Sequence, residues 1–196
     1  MVRLRRQLAA HVRLANHTAL FEGHRVPVVK FEDFAALPEA PDLAVIATPP
    51  DTIPKLIAEL GARGTRAVVV ISAGVKGELR QGMLDAARPN LLRVLGPNSL
   101  GLMLPGIGLD ASFCHRPPAA GDLALLSQSG ALITGIVDWA AERGIGISHV
   151  VSLGDMADVD FGDMLDYLAG DTASRAILLY MESLTHAAKF QSAARR

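Results

Sequence analysis

Between Leu43 and Tyr180 the chain repeats one pattern: a short apolar run, a stop at proline, glycine or serine, then a stretch with helical periodicity. The runs are Leu43 to Ala47, Ala67 to Ile71, Leu92 to Leu95, Leu123 to Leu126, Ile147 to Val151 and Ala176 to Tyr180. A nearly continuous apolar run has no polar face to give to water, so it fits a parallel strand covered on both sides by helices. The intervening segments fit those helices. Ile53, Leu56, Ile57 and Leu60 form one apolar face; Met83 to Arg88 belongs to a second helix; Ala131 to Glu142, Phe161 to Ala169 and Thr185 to Ala194 supply three more. Asp51 is placed to cap the first helix, and Pro54 falls in its first turn, where a missing N–H loses no partner. Gly61 or Gly64 ends it, Gly144 is a left-handed cap, and Asp160 caps the helix from Phe161. Repeated β–α units of this kind predict an α/β protein with parallel sheets.

A length of 196 residues allows one large or two small domains. The proline- and glycine-rich stretch His115 to Gly121 reads as the linker between two, leaving about three strands for the second, a thin core. A net charge of −1 gives no ground for a nucleic-acid partner. No apolar run reaches the roughly 18 residues of a membrane span. The single cysteine, Cys114, excludes an internal disulfide framework and fits a reducing cytoplasm. Residues 1–24 differ from the rest: Arg3, Arg5, Arg6 and Arg13 face one acid, Glu22, which makes an atypical basic segment.

Ligands of open parallel sheets sit beyond the carboxyl ends of the strands. Three such ends carry small or polar residues: Thr48-Pro49-Pro50, Ser72-Ala73-Gly74 and Pro97-Asn98-Ser99. Small residues let a long thin ligand lie against backbone, and an Asn amide both donates and accepts. The same residues also suit ordinary strand-ending turns. Ser127-Gln128-Ser129-Gly130 precedes a helix, so its N–H groups and hydroxyls form a candidate phosphate or carboxylate turn. Either that or a plain serine N-cap accounts for it. Glu182 follows the apolar run Ile177 to Met181, which puts a carboxylate at a strand's carboxyl end. The acids of Gly154-Asp155-Met156-Ala157-Asp158-Val159-Asp160 lack the glycine and terminal glutamate of an EF-hand loop, so no metal site is expected there.

Taken in order, Thr48-Pro49-Pro50, Arg93 to Gly101, Leu126 to Leu132 and the Gly154 loop resemble the NDP-forming acyl-CoA synthetases, relatives of the succinyl-CoA synthetase α subunit, over Phe31 to Arg196. Gly154 to Leu168 looks most like members fused to an N-acetyltransferase domain. The resemblance implies a Rossmann-like CoA-binding domain over 25–118 and the first part of a flavodoxin-like ligase domain over 119–196. It implies that the three loops line a coenzyme A site: Thr48, Pro49 and Pro50, then Ser72, Ala73 and Gly74, then Pro97, Asn98 and Ser99. It implies that Ser127, Ser129 and Gly130 hold a phosphoryl group, and that Glu182 orients a phosphohistidine. Many relatives carry cysteine where Ser99 stands.

The family reaction joins an acid to CoA at the cost of ATP, through that phosphohistidine. ATP or ADP with magnesium would enter through a grasp domain or a β-type partner, and a homodimer is the other expected assembly. The family's Gly-rich first turn and its histidine turn have no match in this chain; His17-Thr18-Ala19-Leu20 echoes the latter without its glycine. The expectation is therefore a fragment, inactive alone. A non-catalytic CoA-binding or regulatory remnant is the rival. A Rossmann oxidoreductase ranks lower, because no G-x-G-x-x-G follows a strand.

Overall fold

The computed structural model describes residues 40–196, together with the backbone of a small antiparallel pair, β1 (Leu20–Phe21) and β2 (His24–Arg25). The basic segment 1–24, apart from that pair, His17 and the start of the resemblance at Phe31 lie outside the described residues.

The first sheet is parallel, in the order β3 (Leu43–Ile46), β4 (Ala67–Val70), β5 (Arg93–Leu95). Its period of two sorts the apolar residues onto two faces. Ala44, Ile46, Val68, Val70 and Val94 pack against α1 (Ile53–Ala62) and α2 (Gly77–Ala87), with Ile53, Ile57 and Met83 fully buried between them. Val45, Val69 and Leu95 face the other way, into a core shared with the second sheet. Gly64, at φ 99°, follows α1 as its left-handed stop.

Asp51 does not cap α1. It lies in a short 3-10 turn, Pro50–Thr52, and the N-cap is Thr52. The Thr52 hydroxyl reaches the Pro49 carbonyl at 2.7 Å and the Thr48 hydroxyl at 2.8 Å, closing the turn before the helix.

Among the described residues the second sheet has five strands rather than the roughly three expected, in the order β10 (Ala176–Tyr180), β8 (Ala120–Ser127), β9 (Ile147–Ser152), β6 (Gly101–Leu104), β7 (Leu109–Ser112). β8, β9 and β10 are parallel. The other two, β6 and β7, form an antiparallel hairpin, and β6 pairs with β9 through Leu102–Val151 and Met103–Val150. The hairpin precedes the proline-rich stretch, so residues assigned to the first domain complete the sheet of the second. β8 itself begins at Ala120, inside the stretch expected to be a linker.

α3 (Gly130–Glu142) buries Ile133, Val137 and Ala140 against one face of this sheet. α4 (Phe161–Ala169) covers the other, with α5 (Ala187–Ala194) packed on it. Asp160 caps α4 as expected, in a reciprocal capping box with Asp163. α5 begins at Ala187 rather than Thr185, whose hydroxyl instead donates to Asp160 at 3.1 Å.

The two sheets are also joined by backbone. After β9, residues 155–159 run beside β5: Asp155 N–H donates to the Pro97 carbonyl at 2.9 Å, Ala157 to Gly96 at 2.9 Å and Val159 to Val94 at 3.1 Å. Asp158 completes the seam by accepting from the Val94 N–H at 2.8 Å and from Arg93 Nε at 2.9 Å. Among the described residues, no helix is long and apolar enough to cross a membrane.

Candidate functional site

The carboxyl ends of β3, β4 and β5 carry the three loops singled out in the sequence, and hydrogen bonds tie each to the next. Ser72 Oγ donates to the Thr48 carbonyl at 2.5 Å, and the Ser72 carbonyl accepts from the Asn98 N–H at 3.0 Å. Asn98 Nδ2 donates to Asp155 at 3.1 Å, reaching the seam between the sheets. Gly74, at φ 83°, and Asn98, at φ 58°, adopt left-handed backbone, which glycine and asparagine enter most readily. Pro49, Ala73, Gly74 and Asn98 are exposed, while Thr48, Pro50 and Ser72 are half-buried. Together they form an open, small-residue shelf.

Ser99 lies beneath that shelf. It is 1 % exposed, and its hydroxyl donates to the Ser152 carbonyl at 2.6 Å and accepts from the Gly101 N–H at 2.9 Å. Ser152, fully buried at the end of β9, accepts the Leu100 N–H on its own hydroxyl at 2.9 Å. One residue on, the Leu153 N–H donates to the Ser127 carbonyl at 2.8 Å. The first-sheet loops thus connect through β9 to the turn at the head of α3. Gly130 abuts the same path, since a Cβ there would lie 3.3 Å from that of Leu100.

Within the turn, the Ser127 hydroxyl donates to the Ser129 carbonyl and accepts from the Ser129 N–H. The Ser129 hydroxyl is the N-cap, accepting from Leu132 at 3.3 Å, and its carbonyl accepts from Ile133 at 3.2 Å. Both hydroxyls are therefore committed to shaping the turn. The N–H groups of Gly130 and Ala131, with the positive end of α3, remain to face an anion.

Glu182 lies two residues beyond the end of β10 and is exposed. Its N–H donates to Gln128 Oε1 at 2.7 Å, bringing its segment against the turn. Sequence reasoning missed Gln128 and Ser152 as the residues that join these pieces. Their only sequence signal is position, since each polar side chain stands at the carboxyl end of an apolar run.

The acids of the Gly154 loop have defined protein partners. Asp155 faces Asn98, and Asp158 faces Arg93 and Val94. Burial works against the charge on Asp160, yet the Asp163 N–H, the Lys189 ammonium at 3.0 Å and the Thr185 hydroxyl together hold its carboxyl below the ordinary range. Open grooves of about 450 and 480 Å³ lie around Arg93 and Lys189; Ala157 and Asp158 line the first, and neither includes a residue of the loops 48–50, 72–74 or 97–99. His149, 5 % exposed on β9, places Nδ1 3.2 Å from Ser174 Oγ, and burial keeps its pKa below the usual imidazole value despite Asp171 nearby. His115 pairs with Asp138 on the surface, and His186 is exposed at the start of α5.

Known proteins share this fold. Residues 17–105 match the model of a CoA binding domain, and residues 120–196 match that of a succinyl-CoA ligase like flavodoxin domain. Over 165 residues the chain is 38% identical to an ADP-forming acetate–CoA ligase of Archaeoglobus fulgidus, an overlap of 81% of this chain and 24% of that protein. It is 36% identical over 172 residues to the α subunit of an ADP-forming acetate–CoA ligase from Pyrococcus furiosus, covering 84% of this chain and 37% of that subunit. The solved dinucleotide-forming acetyl-coenzyme A synthetase 1 of Ca. Korarchaeum cryptofilum superposes with a TM-score of 0.80 at 30% identity, over 97% of this chain and 43% of that one. The chain thus spans less than half the length of each of these proteins.

Proposed function

Because this chain belongs to the family of ADP-forming acetyl-CoA synthetases and succinyl-CoA ligase α-like proteins, with their CoA-binding and flavodoxin-like domains, we propose that it is the CoA-binding and ligase portion of an NDP-forming acyl-CoA synthetase. One observation carries the reading: a path of hydrogen bonds and peptide links runs from Thr48 through Ser72, Asn98-Ser99 and Ser152-Leu153 to the turn at Ser127. That path puts a shelf suited to a long ligand next to a turn suited to an anion.

In this proposal CoA lies along Thr48 to Pro50, Ser72 to Gly74 and Pro97 to Asn98, with Ser99 holding the shelf from below. The thiol end points toward Gly130 and Ala131, whose N–H groups stabilise a phosphoryl or acyl-phosphate group by charge-assisted hydrogen bonds. Glu182 accepts the second ring N–H of an incoming histidine and fixes its tautomer. That histidine would come from a Ser-His-Thr-Gly-Ala-like turn such as the family carries downstream of the Glu182 position, and the nucleotide, with its magnesium, from a grasp domain or β-type subunit; the Pyrococcus furiosus relative is itself an α subunit. Such an assembly works in the cytoplasm, where Cys114 stays reduced. The wording of residues 154–168 extends the proposal to an origin among members fused to an N-acetyltransferase domain, which sequencing of the flanking DNA tests.

Calorimetric titration with CoA separates this reading from its rivals. Wild type should bind CoA, and Gly74→Val, which puts a β-branched side chain on left-handed backbone at the shelf, should weaken binding by on the order of tenfold or more. Binding of NADH in preference to CoA would point to an oxidoreductase. With labelled ATP, an acid, CoA, a β-type subunit and a relative's histidine-bearing ligase segment, acyl-CoA, ADP and phosphate should form only when this chain is added; CoA binding with no such product would identify a regulatory module.

A further inference from the structure

We propose that Gln128 is a positioning residue that fixes Glu182 beside the Ser127–Gly130 turn; the role assigned to Glu182 rests on the function proposed above. β10 stops at Tyr180, so the next residues have no strand ladder to hold them. Packing does not hold them either, because Met181 is 42 % and Leu184 is 45 % exposed. Gln128 grips this segment at four points. Its backbone N–H donates to the Tyr180 carbonyl at 3.2 Å. Its Oε1 accepts both the Glu182 N–H at 2.7 Å and the Ser183 N–H at 2.9 Å, and its Nε2 donates to Ser183 Oγ at 3.2 Å. Two N–H groups converging on one oxygen, with a hydroxyl taking the amide nitrogen, satisfy the side chain in one orientation only.

This geometry links two strand ends that sequence leaves more than fifty residues apart. Gln128 sits between Ser127 and Ser129, whose turn frees the Gly130 and Ala131 N–H groups. The same residue that shapes the turn therefore sets where the Glu182 backbone starts. A carboxylate on an exposed, unladdered segment samples many positions; tethered at its own N–H, it stays within reach of whatever occupies the turn.

The test uses Gln128→Leu and Gln128→Glu in the full chain. A leucine removes both side-chain functions, so amide exchange at Glu182 and Ser183 should accelerate by on the order of tenfold. A glutamate keeps oxygens for both N–H groups and should retain the protection. Unchanged exchange at Leu153 and Leu132 shows that the sheet and the α3 cap are intact in each variant. The second readout is the Glu182 carboxyl carbon-13 signal, recorded with and without inorganic phosphate. In wild type, phosphate at the turn should shift that signal through the nearby negative charge. In Gln128→Leu that phosphate-linked shift should largely vanish, while phosphate still moves the Gly130 and Ala131 amides. A leucine variant that keeps the full shift overturns the positioning role. Phosphate that moves no amide of residues 127–131 in wild type overturns the anion turn itself, and the proposal with it.

Discussion

β9 and β10 flank the same strand, β8, yet their burial is the reverse of what their composition suggests. β9 contains Ser148, His149 and Ser152 and is buried from end to end. β10 is Ala-Ile-Leu-Leu-Tyr, and all of it but Leu179 is exposed. The difference is neighbours: β9 has β8 on one side and β6 on the other, with helices over both faces, whereas β10, among the described residues, has β8 alone. Place in the sheet decides burial, and buried polar groups must then find partners. On β9 they do. Ser148 and His149 share Ser174, and Ser152 holds Leu100 and Ser99.

The largest expected effect tests that contrast directly. Ile147→Ala on β9 should cost about 2–5 kcal/mol in urea unfolding, and Leu178→Ala on β10 less than about 1 kcal/mol. Equal losses would break the comparison. Gly154→Ala comes next, because the loop that leaves β9 docks on the first sheet through its backbone. Gly154 has φ 55°, and a Cβ would meet the Pro97 carbonyl oxygen at 2.2 Å. A loss of about 2 kcal/mol or more is expected, with faster amide exchange at Asp155 and Ala157.

Ser152→Ala should cost about 1–3 kcal/mol by stranding the buried Leu100 N–H, whereas Ser183→Ala, exposed beyond β10, should stay within about 0.5 kcal/mol. The smallest effect is in pH. Burial disfavours the charged form of His149 in the folded protein despite Asp171 nearby, so the unfolded chain takes up that proton first, near pH 6.5. The unfolded state then binds more protons, so stability falls as pH drops through that value. The depressed carboxyl of Asp160 acts in a lower window, losing its contribution as pH falls below the ordinary carboxylate range. In unfolding midpoints measured against pH, His149→Gln should remove the upper step and leave the lower one.

Where local period carried the information, the sequence was readable. The apolar runs became strands with ends shifted by up to three residues, and α4 and β10 fall where the pattern put them. What escaped depends on distant partners. The Gly101–Ser112 hairpin is two four-residue strands with only alternate residues buried, broken by Pro105 and Gly106, and its meaning comes from pairing with β9. The 155–159 seam is mostly backbone, so no side-chain pattern announces it. Asp51 failed as a cap because the Thr52 hydroxyl closes the preceding turn. At the site, the three loops and the serine turn were visible as motifs. The burial of Ser99 and the reach of Gln128 were not, because each follows from what lies across the fold.

The account centres on one shelf formed by three strand ends, and an amide-resolved NMR titration with CoA tests it most directly. The predicted result is perturbation of the N–H signals of Thr48, Ser72 to Gly74 and Asn98, extending to Gly130 and Ala131 when an acyl phosphate such as acetyl phosphate is added, with the exposed face of β10 unchanged. Perturbation centred on the groove around Arg93 and Lys189, with those loops silent, would contradict it.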